Sequence, residues 1–190
     1  MNAVNVGCGW RNFGKRYKIV HANGDKETVY WKYVDGGGYD HLDSKNIFLE
    51  DFEDNTLDLI YCSHMLEYFD REEAPGLLKS WMKKLKVGGK LYLSVPHFGE
   101  MAGMWHQERV PLHRLLGPLY GKMQMGEKTI YHKTVYDDAS LGELLRSCGY
   151  RRLETWEHSE LPWWKKEFDD HSLAKINRGL ISLNMCCEKK

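Results

Sequence analysis

The residues able to do chemistry sit where apolar runs end. Gly7, Cys8 and Gly9 close the run that begins at Val4. Neither glycine has a β-carbon, so the backbone there can approach a ligand closely. A plain strand-to-helix turn would use the same residues. Cys8 has no base beside it and reads as a small packing residue, not a nucleophile. Asp35 ends the run "VYWKYVD". A carboxylate in that place accepts two hydrogen bonds from ribose hydroxyls, or serves as a turn acid ahead of three glycines. Asn46 has the donor and acceptor to pair with an adenine edge, or is a surface polar residue.

Three further groups follow the same rule. "CSHMLEYF" (62–69) sets Ser63, His64 and Glu67 at a strand-to-helix junction, where His64 reads as a ligand-facing or as a structural histidine. "VPHF" (95–98) places His97 just past a strand. "YHKTVYDD" (131–138) gathers His132, Lys133, Asp137 and Asp138, with helix capping by the aspartates as the plainer reading. "DDHS" (169–172) is a weaker cluster of the same kind. No pair of histidines at i,i+4 and no other ligand spacing indicates a metal.

The elements that must carry these residues are strands alternating with helices. Val4–Val6, Val29–Asp35, Lys45–Phe48, Leu57–Ser63 and Lys90–Pro96 read as strands, the third weakly. Between the last two, Asp70 and Glu73 have the spacing of a capping box. Ala74, Leu77, Leu78, Trp81 and Leu85 follow on one helical face. Lysines and then Gly88–Gly89 mark the end of that helix. Residues 97–136 are rich in glycine, methionine and aromatics, and read as an insertion with short helices. Ser140–Gly149 reads as a helix with a capping box from Ser140 to Glu143. Residues 150–157 and 179–188 read as two closing strands with a Trp-rich polar linker between them. This order predicts a parallel α/β sheet with an antiparallel far edge, and ligands bind such sheets beyond the carboxyl ends of the strands.

The totals agree with one soluble domain. The chain has 190 residues, 42% of them hydrophobic, and its 27 Lys and Arg balance 27 Asp and Glu. There is no net basic field and no basic stripe with interleaved aromatics, so no nucleic acid partner is expected. No apolar run has the length of a membrane span, and no membrane role is expected. Five scattered cysteines form no CxxC pair, which fits a reducing, cytoplasmic setting. The strand at the very start also suits a domain taken from a longer protein.

Taken together, "VNVGCG", "YVDGG", "EDNTLDLIYCSHMLEYFDREE", "WMKKLKVGGKLYLSVPHF", "LGPLYGKMQMG", "YHKTVYD" and "DDHS…LISLNMCCEK" resemble the class I S-adenosylmethionine-dependent methyltransferases. The likeness is to the small ones associated with polysaccharide and glycan biosynthesis, and it spans nearly the whole chain. It implies a Rossmann-like seven-stranded sheet of order 3-2-1-4-5-7-6, with strand 7 antiparallel and helices on both faces. It implies one domain over 1–190, with 97–136 as a lid over the acceptor. It also implies that Gly7, Cys8 and Gly9 form the turn at the methionine part of S-adenosyl-L-methionine. Asp35 would then bind the ribose, Asn46 and Ile47 flank the adenine, and Ser63 and His64 lie beside the sulfonium. Two positions depart from the pattern: asparagine at 46 and histidine at 97, where aspartates are expected.

The function expected is O-methylation of a sugar hydroxyl in a glycan or polysaccharide, which needs a base within hydrogen-bond reach. His97 and His132 lead as candidates, His64 follows, and Asp137 would orient a neighbouring ring. The alternatives are N- or carboxyl-methylation of a small metabolite, and a non-catalytic module binding a partner through Trp163–Trp164. A dinucleotide enzyme ranks last, because position 12 is asparagine and the third glycine is missing.

Overall fold

The computed structural model describes residues 1–7, 16–20, 26–34, 47–125, 127–158 and 171–190. Its strands are β1 (Asn2–Val6), β2 (Arg16–Val20), β3 (Lys26–Val34), β4 (Leu57–Ser63), β5 (Leu85–Pro96), β6 (Met123–Met125), β7 (Lys128–Ile130), β8 (Tyr150–Thr155), β9 (Lys175–Ile176), β10 (Gly179–Leu180) and β11 (Ser182–Lys189). Its helices are α1 (Ala74–Lys84), α2 (Phe98–His106), α3 (Leu112–Tyr120) and α4 (Asp138–Ser147).

The main sheet runs β2-β3-β1-β4-β5-β11-β8. β3, β1, β4 and β5 are mutually parallel, while β11 is antiparallel to both of its neighbours. The expected order 3-2-1-4-5-7-6 needs a correction at one edge. The outermost strand is β2, which precedes β3 in the chain and pairs with it antiparallel. Of the expected strand Lys45–Phe48, Ile47 and Phe48 lie among the described residues and belong to a turn over 47–50. The backbone there is spoken for by α1: Trp81 Nε1 donates to Ile47 O at 2.7 Å, and Ser80 Oγ donates to Phe48 O at 2.6 Å. Ile47 and Leu49 are fully buried, so this segment joins the core as a plug instead of a ladder.

Alternation along the strands divides the sheet into two faces. On one, Val4, Ile60 and Leu91 align with Cys187, and Val6, Cys62 and Leu93 with Met185. Leu77, Leu78 and Trp81 of α1 and Leu141 and Leu145 of α4 cover this face, forming the main core. On the opposite face, the described residues Tyr61, Tyr92 and Asn184 lie under Trp156 and the turn at His171–Leu173.

Local capping explains the helix starts. Asp70 Oδ1 accepts from the backbone of Glu72 and Glu73, and Glu73 Oε2 returns the bond to Asp70 N, which is the expected capping box. The second box lies one turn earlier than the spacing suggests. Asp137 and Ser140 form it, so α4 starts at Asp138. α1 also ends earlier, because Leu85 already has extended geometry and Gly88–Gly89 fall inside β5. Beyond β5, α2 and α3 form a small separate core of Met101, Met104, Val110 and Leu115 with Ile176 and Ile181. No helix among the described residues is long and apolar enough to cross a membrane.

Candidate active site at the carboxyl ends of the strands

β1 and β4 meet just past their carboxyl ends. Gly7 has φ +68°, and a β-carbon on it would lie 2.6 Å from Met65 Cγ. Only glycine satisfies both the dihedral and the contact. His64 follows β4 in the left-handed region, with φ 51°. Its backbone N–H donates to Ser94 O at 2.8 Å, which extends the β4–β5 pairing while the chain turns out of the sheet.

This turn aims the imidazole at two partners from different parts of the chain. His64 Nδ1 lies 3.2 Å from Glu67 Oε1, and Nε2 lies 2.9 Å from Ser182 Oγ at the start of β11. A nitrogen facing a carboxylate carries the proton, so Nδ1 is the N–H and Nε2 accepts from the Ser182 hydroxyl. The ring is mostly buried and Glu67 is wholly so.

Glu67 is the electrostatic centre of the site. It is 0% exposed, and His132 Nε2 approaches the same oxygen at 3.8 Å. Its negative charge, together with burial, pushes the Tyr68 hydroxyl up to about 12 and raises Tyr136 and the Cys62 thiol as well, burial being the larger cause for all three. His132 shifts the other way, because burial outweighs the pull of Glu67 and lowers its pKa. Its Nδ1–H donates to Pro118 O at 3.0 Å, and its ring stands edge-on to Tyr68. Gly121 leaves no room for a β-carbon beside that ring.

Six buried polar side-chain atoms of the described residues lack a hydrogen-bond partner. They are Ser63 Oγ, both Glu67 carboxylate oxygens, Ser94 Oγ, Tyr136 Oη and Asn184 Oδ1. Ser63, Ser94 and Asn184 are cross-strand neighbours on β4, β5 and β11. Buried polar groups are nearly always satisfied, by protein, water or ligand. The glycine cradle at Gly7 and the hydroxyl of Ser63 together fit a polar amino-acid group lying across the ends of β1 and β4.

His97 and Asp137 take more local duties. His97 Nδ1 faces the Glu100 amide at 3.4 Å as the N-cap of α2, and Nε2 lies 3.1 Å from Asp138 Oδ2. Asp138, not Asp137, is therefore the carboxylate that meets this ring. Asp137 accepts from the Ser140 backbone and side chain, and that bonding keeps its carboxyl below the ordinary range. His64 and His132 are brought together on Glu67, while His97 sits apart on α2. Of the expected site, Cys8, Gly9, Asp35 and Asn46, and likewise Trp163, Trp164, Asp169 and Asp170, lie outside the described residues. Ile47 is buried under Trp81. Among the described residues no group of histidines, cysteines and carboxylates could hold a metal ion. Sequence reasoning noticed Glu67 without giving it a role. It missed Ser182 altogether, 118 positions from His64 with no local signal.

Comparison with known proteins bears on the fold. Residues 4–93, which run from β1 into β5, match the methyltransferase domain family. The whole fold resembles a SAM-dependent methyltransferase from Methanosarcina mazei, at 13% identity and a TM-score of 0.50, covering 99% of this chain and 92% of that one. It also resembles a possible exported protein from Bordetella parapertussis, at 15% identity and a TM-score of 0.53. There the match covers 99% of this chain but only 61% of the other, so the chain spans about three fifths of that protein's length. No curated protein sequence matches the chain. The fold is thus an α/β methyltransferase fold with a mixed central sheet, and the matched segment carries Gly7, Ser63, His64 and Glu67.

Proposed function

We propose that the protein is an S-adenosyl-L-methionine-dependent O-methyltransferase acting on a sugar hydroxyl of a glycan or polysaccharide, in the cytoplasm. The observation that carries the reading is the Gly7 cradle at the end of β1 with the unsatisfied buried hydroxyl of Ser63 at the end of the neighbouring β4, within the segment that matches the methyltransferase domain. The cofactor would lie across the ends of β1 and β4, held by Gly7 and Ser63 in the described part, with Cys8, Gly9, Asp35, Asn46 and Ile47 completing its site. When bound it supplies a methyl group on positively charged sulfur.

The chain's own task is to orient the acceptor, exclude water and take a proton. We take His64 for the last role ahead of His97 and His132, because its Nε2 faces a hydroxyl. His97 has one ring nitrogen at a helix cap and the other on Asp138. His132 has one nitrogen on a backbone carbonyl and the other against Glu67. His64 Nε2 already has a hydroxyl as its partner. The carbohydrate acceptor is supported by the aromatic surface near α2 and α3, where Trp105 and Tyr120 stand exposed; such rings pack on the apolar faces of sugars. Free, buried thiols at Cys62, Cys148, Cys186 and Cys187 support the reducing compartment.

Calorimetric titration with S-adenosylmethionine and S-adenosylhomocysteine, with NAD as control, tests the class. Binding of the first two and not of NAD is expected. Failure of all three would favour a non-catalytic binding module. An acceptor screen then separates glycan hydroxyls from small-molecule amines and carboxylates.

A further inference from the structure

We propose that Glu67 is the positioning residue of the methyl-transfer site, a buried carboxylate that fixes the His64 tautomer and stabilises the imidazolium formed when His64 takes the acceptor proton. The inference rests on the methyltransferase reading and adds a residue and a role to it. Three observations carry it. Glu67 Oε1 lies 3.2 Å from His64 Nδ1, which leaves Nε2 as the lone pair directed at a hydroxyl. The carboxylate is wholly buried, with His64 Nδ1 at 3.2 Å and His132 Nε2 at 3.8 Å from its Oε1, so its charge acts in a place where water does not screen it. Its backbone is fixed as well, because Glu67 O accepts from Lys133 N at 2.8 Å and Thr134 N at 3.3 Å.

The groups facing Glu67 from every packed element are consistent with this role. Cys62 of β4, Tyr68 beside it and Tyr136 before α4 are all held in their uncharged forms. His132 is the other imidazole, and burial disfavours its charged form. Of the two imidazoles, His64 is the nearer to Glu67 Oε1, at 3.2 Å against 3.8 Å for His132. In the reaction the acceptor oxygen forms a bond to the methyl carbon, and the electron pair of the broken carbon–sulfur bond stays on sulfur. The acceptor's proton ends on His64 Nε2, and Glu67 balances the resulting charge.

A purely structural carboxylate would behave differently when removed. Glu67→Leu leaves both imidazoles free to be neutral, so no unpaired charge remains, and replacing a buried charge by an apolar group of similar size is often neutral or stabilising. We expect the variant to melt within about 3 °C of wild type or above it, and to bind S-adenosylhomocysteine within about threefold of wild type. With an acceptor in hand, kcat should fall at least about a hundredfold with KM nearly unchanged. In wild type, nitrogen-15 NMR of labelled histidine, with His64→Asn for assignment, should show neutral His64 protonated at Nδ1. In Glu67→Leu the two tautomers should mix. A wild-type ring protonated at Nε2, an unchanged tautomer in the variant, or a variant that fails to fold would each overturn the proposal. If S-adenosylhomocysteine does not bind wild type, the methyltransferase reading fails, and the tautomer result still reports on Glu67 independently.

Discussion

The Met65 side chain occupies the space that a β-carbon on Gly7 would need, with Met65 Cβ and Cγ 2.8 and 2.6 Å from that position. The contact joins the ends of two parallel strands that carry the candidate cofactor turn and the candidate base. It also shows why a glycine stands at 7, where φ is +68°.

Gly7→Ala should therefore be costly in two separable ways. The left-handed dihedral costs about 1–2 kcal/mol for an L-residue, and the clash adds a further penalty of about 1–3 kcal/mol. Urea denaturation of the single variant and of Gly7→Ala/Met65→Ala should show partial rescue by the second change. No rescue would mean that the dihedral alone sets the cost.

His132 should make stability depend on acid. Burial lowers its pKa in the folded protein, so the unfolded chain binds the proton more readily. The contribution of the neutral ring is complete above the unfolded value of about 6.5 and is lost as pH falls from there toward the lowered folded value. Urea midpoints taken from about pH 7.5 to about pH 5 should fall for wild type and flatten for His132→Gln. An unchanged slope in the variant would remove His132 as the cause.

Asp137 and Asp138 should separate in their effects despite being adjacent. Asp137→Ala removes the side-chain acceptor of the α4 capping box and should cost about 1 kcal/mol of stability. Asp138→Ala frees His97 Nε2 and should cost less, since Asp138 is largely exposed. Melting temperatures compare the two. If His97 is the base, Asp138→Ala should also change turnover; if it is a cap, turnover should not move.

Trp81→Phe should loosen the plug at Ile47 and Leu49. It leaves a buried carbonyl at Ile47 without its 2.7 Å donor, at a cost of about 1–3 kcal/mol. Hydrogen exchange should rise at residues 47–50 more than in β4. If the rise is uniform, the bond is not what anchors the segment.

The sequence exposed the central strands because β1, β4 and β5 are apolar runs stopped by glycine or proline, or left at a polar junction. It set Ser63 at the end of β4 and His64 and His97 just past β4 and β5, where the structure has them. It also fixed the Asp70–Glu73 box, since both partners lie within one turn and need nothing from the rest of the molecule. The edge strand was another matter. Lys45–Phe48 has a strand's composition, yet the Trp81 and Ser80 side chains claim the carbonyls of Ile47 and Phe48, and β2 holds the edge beyond β3.

The sequence by itself determined the periodicity of the core, the glycine turn at 7 and the presence of histidines after two strands. Those follow from local spacing and from the conformations that single residues allow. Only the tertiary structure decided which histidine meets which carboxylate. Antiparallel β11 brings Ser182 to His64 across 118 positions, and the segment between β7 and α4 brings His132 onto Glu67. Such contacts depend on how distant strands pair and on what burial does to a charge, and neither is encoded within a window of neighbouring residues.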